Sequence, residues 1–534
     1  MKKFQPILII LIVSLISAWP LFRPGYIPTH DGEYSIIRIW QYAKVLSEGT
    51  FPPRWAPDIN SGYGLPLFTF YYPLPYFIGS IIHFLGWSLV DSFKLTLAFG
   101  LLASAIFCFF WLQKLFGRTG ALIGSLIFLS TPYLWVDVYV RGSAGEILAI
   151  ASVMLALAGT EYHKPRVVAF AIAAIILSHN ILAMLFFPTL GGYVFLRNKQ
   201  MLPVFVWGLT LSAFFWVPAL FERQFVLGLS NFDFRDHFVS LAQLLIPSWG
   251  TGFSRPGWPA DEMSQQVGLG FLGSVVASFI LLRKEKNDKM NKLVWGGLAV
   301  CVAVLFLTLE SSLAFWQSIP FLRFVQYPWR FLSFLIPLGA IFAAYATIRL
   351  KKKWIMGIIV GISLLISFGY TKPVVYEPRS DEYYLLRRDF TDGTTTVGNS
   401  FSTRWASWRQ ERPKERVEII IGEAVVSNVV EKATAYTFDL VAHTEASLRL
   451  NVSYYPGWQM LIDSRKVAIK EEEGMVAFQV SPGSHKVELR FRETPLRQTA
   501  NIMSALSLFW LVGSAILKQI YARSYRHNAT SKRA

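Results

Sequence analysis

The feature that most limits the fold is a succession of apolar runs long enough to cross a bilayer. They lie near residues 5–22, 93–113, 119–136, 145–160, 201–220, 267–282, 293–309, 329–348, 354–370 and 499–517. About twenty apolar residues wound as a helix span the hydrocarbon core, because a helix satisfies its own backbone where no water can. Composition agrees. Of 534 residues, 53% are hydrophobic and 16% charged, against about 25% charged in a soluble domain. The chain reads as a polytopic α-helical membrane protein.

Charge placement supplies the orientation. The net charge is +17, but much of the excess falls in short clusters between apolar runs: Lys2-Lys3, Lys164 with Arg166, Arg197 with Lys199, "RKEKNDKMNK", "RLKKK" and the C-terminal "YARSYRHNATSKRA". Basic loops of this kind stay cytoplasmic, and their distribution argues against nucleic acid as a partner. Residues 167–196 would make a helix of roughly 45 Å, too long for one upright span and short for two. Basic clusters at both ends favour two short helices turning at "SHN" (178–180). That gives about twelve transmembrane helices with both termini cytoplasmic. The opening "MKK" and apolar run lack a clear small-x-small cleavage site, so they read as a retained first span. Cys108 and Cys301 lie inside apolar runs, giving no disulfide framework and no metal-ligand spacing.

Three parts are expected. Residues 1–370 form a transmembrane module, with interfacial helices at about 33–48 and 67–86. Residues 371–498 are charged and hold alternating runs such as "ASLRLNVSYY", "MVAFQV" and "HKVELRFR" between turn signals, an extracytoplasmic all-β sandwich. Residues 499–534 are a last transmembrane helix with a basic cytoplasmic tail. In the first interfacial helix, Ile36, Ile37, Trp40 and Ala43 recur on one side, with Arg38, Gln41, Ser47 and Glu48 interleaved.

This topology gathers polar groups on the outer face. The first loop gives His30, Asp31, Glu33, Arg54, Asp58 and Asn60. "VDVYVRGSAGE" gives Asp137, Arg141 and Glu146, and the "SHN" turn gives His179 and Asn180. Loop 221–266 adds Glu222, Asp233, Asp236, His237, Asp261 and Glu262, and Arg323 and Arg330 complete the set. Acids and arginines at a membrane face suit a charged lipid headgroup. Transfer from a lipid-phosphate-linked sugar needs one carboxylate, to take the proton from the attacking hydroxyl. The phosphate leaves already anionic and needs no general acid, whereas glycoside hydrolysis needs two flanking carboxylates. Arginines or a helix N-terminus would stabilise the departing phosphate. "QYPWRF" (326–331) offers both, with Pro328 in a first turn and Arg330 at its positive end.

Each residue has a plainer role open to it. Asp31 and Glu33 can be solvated loop at a membrane exit. Two residues apart on a helix, they point to nearly opposite sides, so at most one faces a site. Asp31 can equally be an N-cap, Arg141 and Glu146 a structural ion pair, His179 a hydrogen-bonded turn residue, and Arg330 a snorkelling interface residue.

"RIWQYAKVLSEGTFPPRWAPDINSGYGLPLFTFYYPLPYFIGS", following a first span and an external acidic motif, resembles the first loop of membrane-embedded GT-C glycosyltransferases. With "LFGR" (115–118), "YVRGSAGE" (139–146), "LSHN" (177–180) and "VQYPWRFLSF" (325–334), it is most similar to the branch described as membrane protein, 6-pyruvoyl-tetrahydropterin synthase-related. "YYPGWQMLID" (454–463) and "SPGSHKVELRF" (481–491) resemble the C-terminal β domain of a related bacterial group associated with membrane-protein folding and glycosylation. The resemblance implies an external catalytic Asp, falling on Asp31, and a polyprenyl-phosphate sugar donor. The sequence departs from the pattern where Tyr34 and Ser35 follow Asp31-Gly32 in place of a His, although His30 precedes the pair. The pterin-synthase label does not transfer as chemistry. That soluble fold needs clustered zinc histidines, and the eight here (30, 83, 163, 179, 237, 443, 485, 527) are scattered with no HxH pair.

The expectation is therefore an integral plasma-membrane glycosyltransferase of the cell envelope. Asp31 is its base, Arg141 and Arg330 its candidate phosphate contacts, and Glu33, Arg54, Glu146 and His179 further substrate-binding candidates. The partners are the bilayer, a polyprenyl-phosphate sugar donor and a glycan or protein acceptor. No cofactor is called for, with a divalent cation left open. Two alternatives remain: a lipid-linked glycan transporter, which calls for ionisable residues buried along a pathway, and a non-catalytic scaffold presenting the β domain.

Overall fold

The computed structural model describes residues 5–228, 233–254, 262–284, 288–406, 409 and 411–531, with the side chains of residue 397 and of 515–531 excepted. Lys2, Lys3 and Asp261 lie outside the described residues, as does part of the "RKEKNDKMNK" cluster.

Among the described residues, six helices are long and apolar enough to cross a membrane: Gln5–Phe22, Leu89–Leu129, Ala144–Glu161, Asn180–Met201, Lys289–Thr308 and Pro328–Arg349. A seventh arises if Pro203–Leu211 and Ala213–Phe221, bent by 78°, form one broken span. Leu74–Phe84, Pro165–Ser178 and Trp354–Tyr370 are apolar but shorter. Length and composition thus support fewer crossings than the expected twelve. Part of the difference is local geometry. Leu89–Leu129 is broken at Gly117 (φ 70°, ψ −178°), between the two runs expected at 93–113 and 119–136. Glycine adopts that conformation without a Cβ clash. The 167–196 stretch divides as expected, with His179 in extended conformation between the helices Pro165–Ser178 and Asn180–Asn198.

The helix Ala144–Glu161 is central, and every residue from Ala144 to Met154 is buried. A helix apolar all round must be enclosed by protein or lipid. Here the long Leu89–Leu129 helix and Pro165–Ser178 pack against it. At the 78° bend, the freed backbone groups find a partner in the last helix. Ser504 donates to the Thr210 carbonyl (3.0 Å) and accepts from the Phe214 N–H (2.8 Å), as a break at membrane depth requires.

The helix Gly32–Ser47 forms as expected, and of its polar residues Ser47 is exposed while Arg38 and Gln41 are not solvated. Arg38 is 4% exposed and Gln41 fully buried. One side packs on the helix Leu74–Phe84. The other is covered by Asp58, which takes Lys44 and Gln41, and by Thr395, which takes Arg38. The expected 67–86 helix begins as a short turn, Leu67–Phe70, and resumes at Leu74 after the proline break.

The C-terminal domain has nine antiparallel strands: β1 (Val417–Ile421), β2 (Ala424–Lys432), β3 (Ala435–Ala442), β4 (Ala446–Ser453), β5 (Trp458–Ile462), β6 (Arg465–Val467), β7 (Lys470–Glu472), β8 (Met475–Val480) and β9 (Gly483–Phe491). They form two sheets, ordered β1-β4-β8-β7 and β2-β3-β9-β5-β6. Alternation supplies the core: Leu448, Leu450 and Val452 from one sheet face Met460, Val487 and Leu489 from the other. The strands begin at Val417, later than residue 371. The stretch 371–416 is an arm of short helices and turns that packs on the helical body. Glu377 exchanges both backbone hydrogen bonds with Tyr26 (2.8 and 2.9 Å), and Tyr384 meets Tyr26 edge-on.

The two parts are locked together. Trp55, from the first loop, is buried in the β-domain core against Trp458 and Phe491 (centroids 5.2 and 5.3 Å). The fully buried Arg497 donates to Glu222 at 2.8–3.0 Å, and Tyr455 donates to the same carboxylate at 2.8 Å.

Candidate functional site

The site is built where the first loop meets the "VDVYVRGSAGE" segment. Val136–Arg141 forms a π-helical turn ending in Gly142 at φ 64°. A Cβ at Gly142 would collide with the Thr29 hydroxyl, so glycine permits both the turn and the close approach. The first loop is laced to this turn: His30 N–H donates to the Val140 carbonyl (3.0 Å), and Asp31 N–H to that of Arg141 (2.8 Å).

Behind this seam lies a buried charge cluster centred on Glu146. Arg141 contacts Asp137 Oδ1 at 2.5 Å and Glu146 Oε1 at 2.7 Å. Arg330 Nε approaches Glu146 Oε1 at 3.4 Å, His179 Nε2 lies 3.6 Å from it, and Tyr133 donates to Oε2 at 3.3 Å. Arg141 lies over the Trp329 ring (4.7 Å) and Arg330 over Tyr327 (4.8 Å). Pro328–Phe334 is a tight turn leading into the Leu335–Arg349 helix. From it Arg330 reaches back to the Val325 carbonyl (2.8 Å) and Gln326 Oε1 (2.7 Å). His179 Nδ1 accepts from Leu182 N–H (3.1 Å). The ring is therefore neutral, with its proton on the Nε2 that faces Glu146. Two acids thus balance two arginines.

Asp31 stands at the front of this cluster. It holds the N-cap position of the Gly32–Ser47 helix, yet its side chain makes no capping hydrogen bond. Among the described residues no hydrogen bond or ion pair engages its carboxylate, which is half-buried. Tyr327 feels the charges of Arg330, Arg141 and Asp31, and Tyr72 and Tyr76 also feel Asp31. Tyr72 and Tyr76 of "FYYPLPY" belong to the face on which the Asp31 charge acts. Gly145 makes that face tight, since a Cβ there would come within 2.6 Å of the Tyr72 ring.

The structure thus brings together Asp31, Arg141, Glu146, His179 and Arg330. Glu33 is directed elsewhere, into an ion pair with Arg379 of the 371–416 arm. Arg54 is also removed from the site. It pairs with Glu493 (3.2 Å) and Asn501 (3.0 Å) and fastens the first loop to the last helix. His30 does not join Asp31. Its Nε2 engages the Thr251 carbonyl (2.8 Å), its ring stacks on Phe253, and burial lowers its pKa from the usual 6.5. Arg323 is exposed. Thr395 and Trp329, which contact Arg38 and Arg141 respectively, escaped the sequence reading, and Arg38 was placed only on the side of an interfacial helix. The spacing of Arg38 from the N-cap Asp31, seven residues, is a usable signal.

A family model for the 6-pyruvoyl-tetrahydropterin synthase related domain, a membrane protein, matches residues 68–374. The chain belongs to that family. The matched span contains the Asp137–Glu146 cluster, His179 and Arg330, while Asp31 precedes it. As a member of this family the chain is a helical membrane protein, here with an antiparallel β domain at its C-terminal end. It is 27% identical over 268 residues to an uncharacterised protein of Lactococcus lactis subsp. cremoris (strain MG1363), 44% of this chain and 43% of that one. The chain therefore covers less than half of that relative's length. Among solved structures, the arabinofuranosyltransferase AftD from Mycobacteria is similar with a TM-score of 0.45 and 15% identity, over 69% of this chain and 26% of that one. ArnT from Cupriavidus metallidurans, bound to undecaprenyl phosphate, is similar with a TM-score of 0.32 and 14% identity, over 69% and 64%. At these scores neither likeness carries an argument. No group of three or more His, Cys, Asp or Glu side chains that could hold a metal ion occurs among the described residues.

Proposed function

We propose that this protein is an integral membrane glycosyltransferase of GT-C type. It moves a sugar from a polyprenyl-phosphate-linked donor to an acceptor hydroxyl on the outer side of the plasma membrane. The observation that carries the reading is the unengaged Asp31 carboxylate beside buried arginines. A general base needs a free lone pair near the proton it takes, and a departing phosphate needs positive charge. Asp31 accepts the proton of the acceptor hydroxyl. That oxygen bonds to the anomeric carbon as the carbon–oxygen bond to phosphate breaks, and the phosphate leaves as an anion. Arg141 and Arg330 supply positive potential, and Glu146 and His179 hold them in place. In this reading the β domain and both ends of the first loop lie outside, both termini are cytoplasmic, and the β domain positions a glycan or protein acceptor. The resemblance of the first loop to GT-C enzymes supports it independently.

The test is Asp31→Asn expressed in a strain lacking the gene, with surface glycans analysed by mass spectrometry. The expected result is loss of one glycan species with normal protein level. Unchanged glycosylation refutes the catalytic reading and favours the scaffold.

A further inference from the structure

Arg38 lies seven residues beyond Asp31, the N-cap of its helix, so two turns bring it to the side of the helix below Asp31. Its guanidinium donates to the Tyr76 hydroxyl (3.1 Å), to Thr395 Oγ1 (3.4 Å) and to the Thr395 carbonyl, and covers the Tyr71 ring at 3.9 Å. All these partners are neutral, and among the described residues no carboxylate pairs with it. Arg54, Arg141, Arg330 and Arg497, equally buried, each face a carboxylate. A buried cation held by neutral groups recovers little of its lost hydration.

A second anomaly falls at the same point. Thr395 has φ 56°, a left-handed conformation that a β-branched side chain adopts at a cost. The strained residue is the one whose carbonyl and hydroxyl cap Arg38. It belongs to the 371–416 arm, 357 residues away in sequence.

We propose that Arg38 is an anion-binding residue and that Thr395 is a displaceable cap over it. The anion is a phosphate group, and, resting on the function proposed above, that of the lipid-linked donor. A phosphate oxygen takes the guanidinium donors that Thr395 now holds, and the arm is then free to leave its strained conformation. The planar guanidinium suits two phosphate oxygens at once. Tyr72 is within electrostatic reach of both Arg38 and Asp31. Arg141 and Arg330 are already balanced by Asp137 and Glu146, so they stabilise from behind rather than recruit the ligand.

The test uses the full chain in detergent and three probes: geranylgeranyl phosphate, geranylgeraniol and inorganic phosphate. Wild type binds geranylgeranyl phosphate, and Arg38→Gln weakens it about 30-fold, the size of a charged hydrogen bond. Arg38→Lys retains part of the affinity, and geranylgeraniol is indifferent to either change. Competition by inorganic phosphate, lost in Arg38→Gln, assigns the seat to phosphate as such; its absence assigns it to the lipid phosphate. Wild type alone supplies a readout independent of variant folding: amide exchange at residues 391–396 rises on adding geranylgeranyl phosphate and not geranylgeraniol. Unchanged affinity in Arg38→Gln, or unchanged exchange in the wild type, overturns the proposal. Donor binding is read in detergent and glycan loss in cells, so failure of the seat and failure of the base are read separately.

Discussion

Replacing Glu146 by Gln tests the balanced cluster directly. Glu146 Oε1 lies 2.7 Å from Arg141 and 3.4 Å from Arg330. At an effective dielectric constant of about 20 these contacts are worth about 6 and about 5 kcal/mol. Desolvation of the carboxylate offsets much of that sum. Glutamine keeps the shape and removes the charge, leaving Asp137 alone against two buried arginines. Uncompensated buried charge costs about 3–5 kcal/mol, so Glu146→Gln should lower the thermal unfolding midpoint in detergent well below that of wild type, followed by tryptophan fluorescence. Glu146→Gln with Arg330→Gln restores neutrality, since Asp137 and Arg141 then pair alone. The double variant should be more stable than the two single losses predict, by about 0.5–3 kcal/mol of coupling. A Glu146→Gln protein as stable as wild type, or strictly additive losses, would refute the charge-balance account.

Glu33→Gln should leave transfer activity and stability within about 0.5–1 kcal/mol of wild type, because its pair with Arg379 is 41% exposed on the Glu33 side; a loss of glycan comparable to Asp31→Asn would contradict the division of roles between the two acids. His30 predicts a pH dependence of stability. Burial lowers its folded pKa below the unfolded 6.5, so the folded state binds fewer protons, and stability is lost as pH falls from 6.5 through the lowered value. His30→Gln should flatten that part of the wild-type stability profile, and an identical slope in both proteins would exclude His30 as its source.

Much of the architecture can be read along the chain because it depends on local periodicity. Ala144–Glu161 is apolar over most of its surface and is enclosed. The breaks at Gly117 and His179 stand where glycine and the "SHN" turn interrupt long apolar runs, and the alternation of β4, β5 and β9 points one set of side chains to the core. Helical spacing also sends neighbours two apart to opposite sides, so at most one of Asp31 and Glu33 faces a site, and it was the resemblance that pointed to Asp31. The start of the β domain was misplaced because residues 371–416 share its charged composition without its alternation.

What the sequence by itself determined, then, is a membrane-spanning helical body, a strand-rich domain towards the C-terminal end, and a short acidic motif beside arginines. Periodicity and charge bias are properties of neighbouring residues, and both survive without a fold. Which charges are free is decided by tertiary structure alone. Glu33 is taken by Arg379, Arg54 by Glu493, and Glu146 by two arginines, while Asp31 keeps an open carboxylate and Arg38 only neutral partners. Those pairings join residues up to 439 positions apart. Coulomb attraction acts on distance in space, which only the packed chain sets.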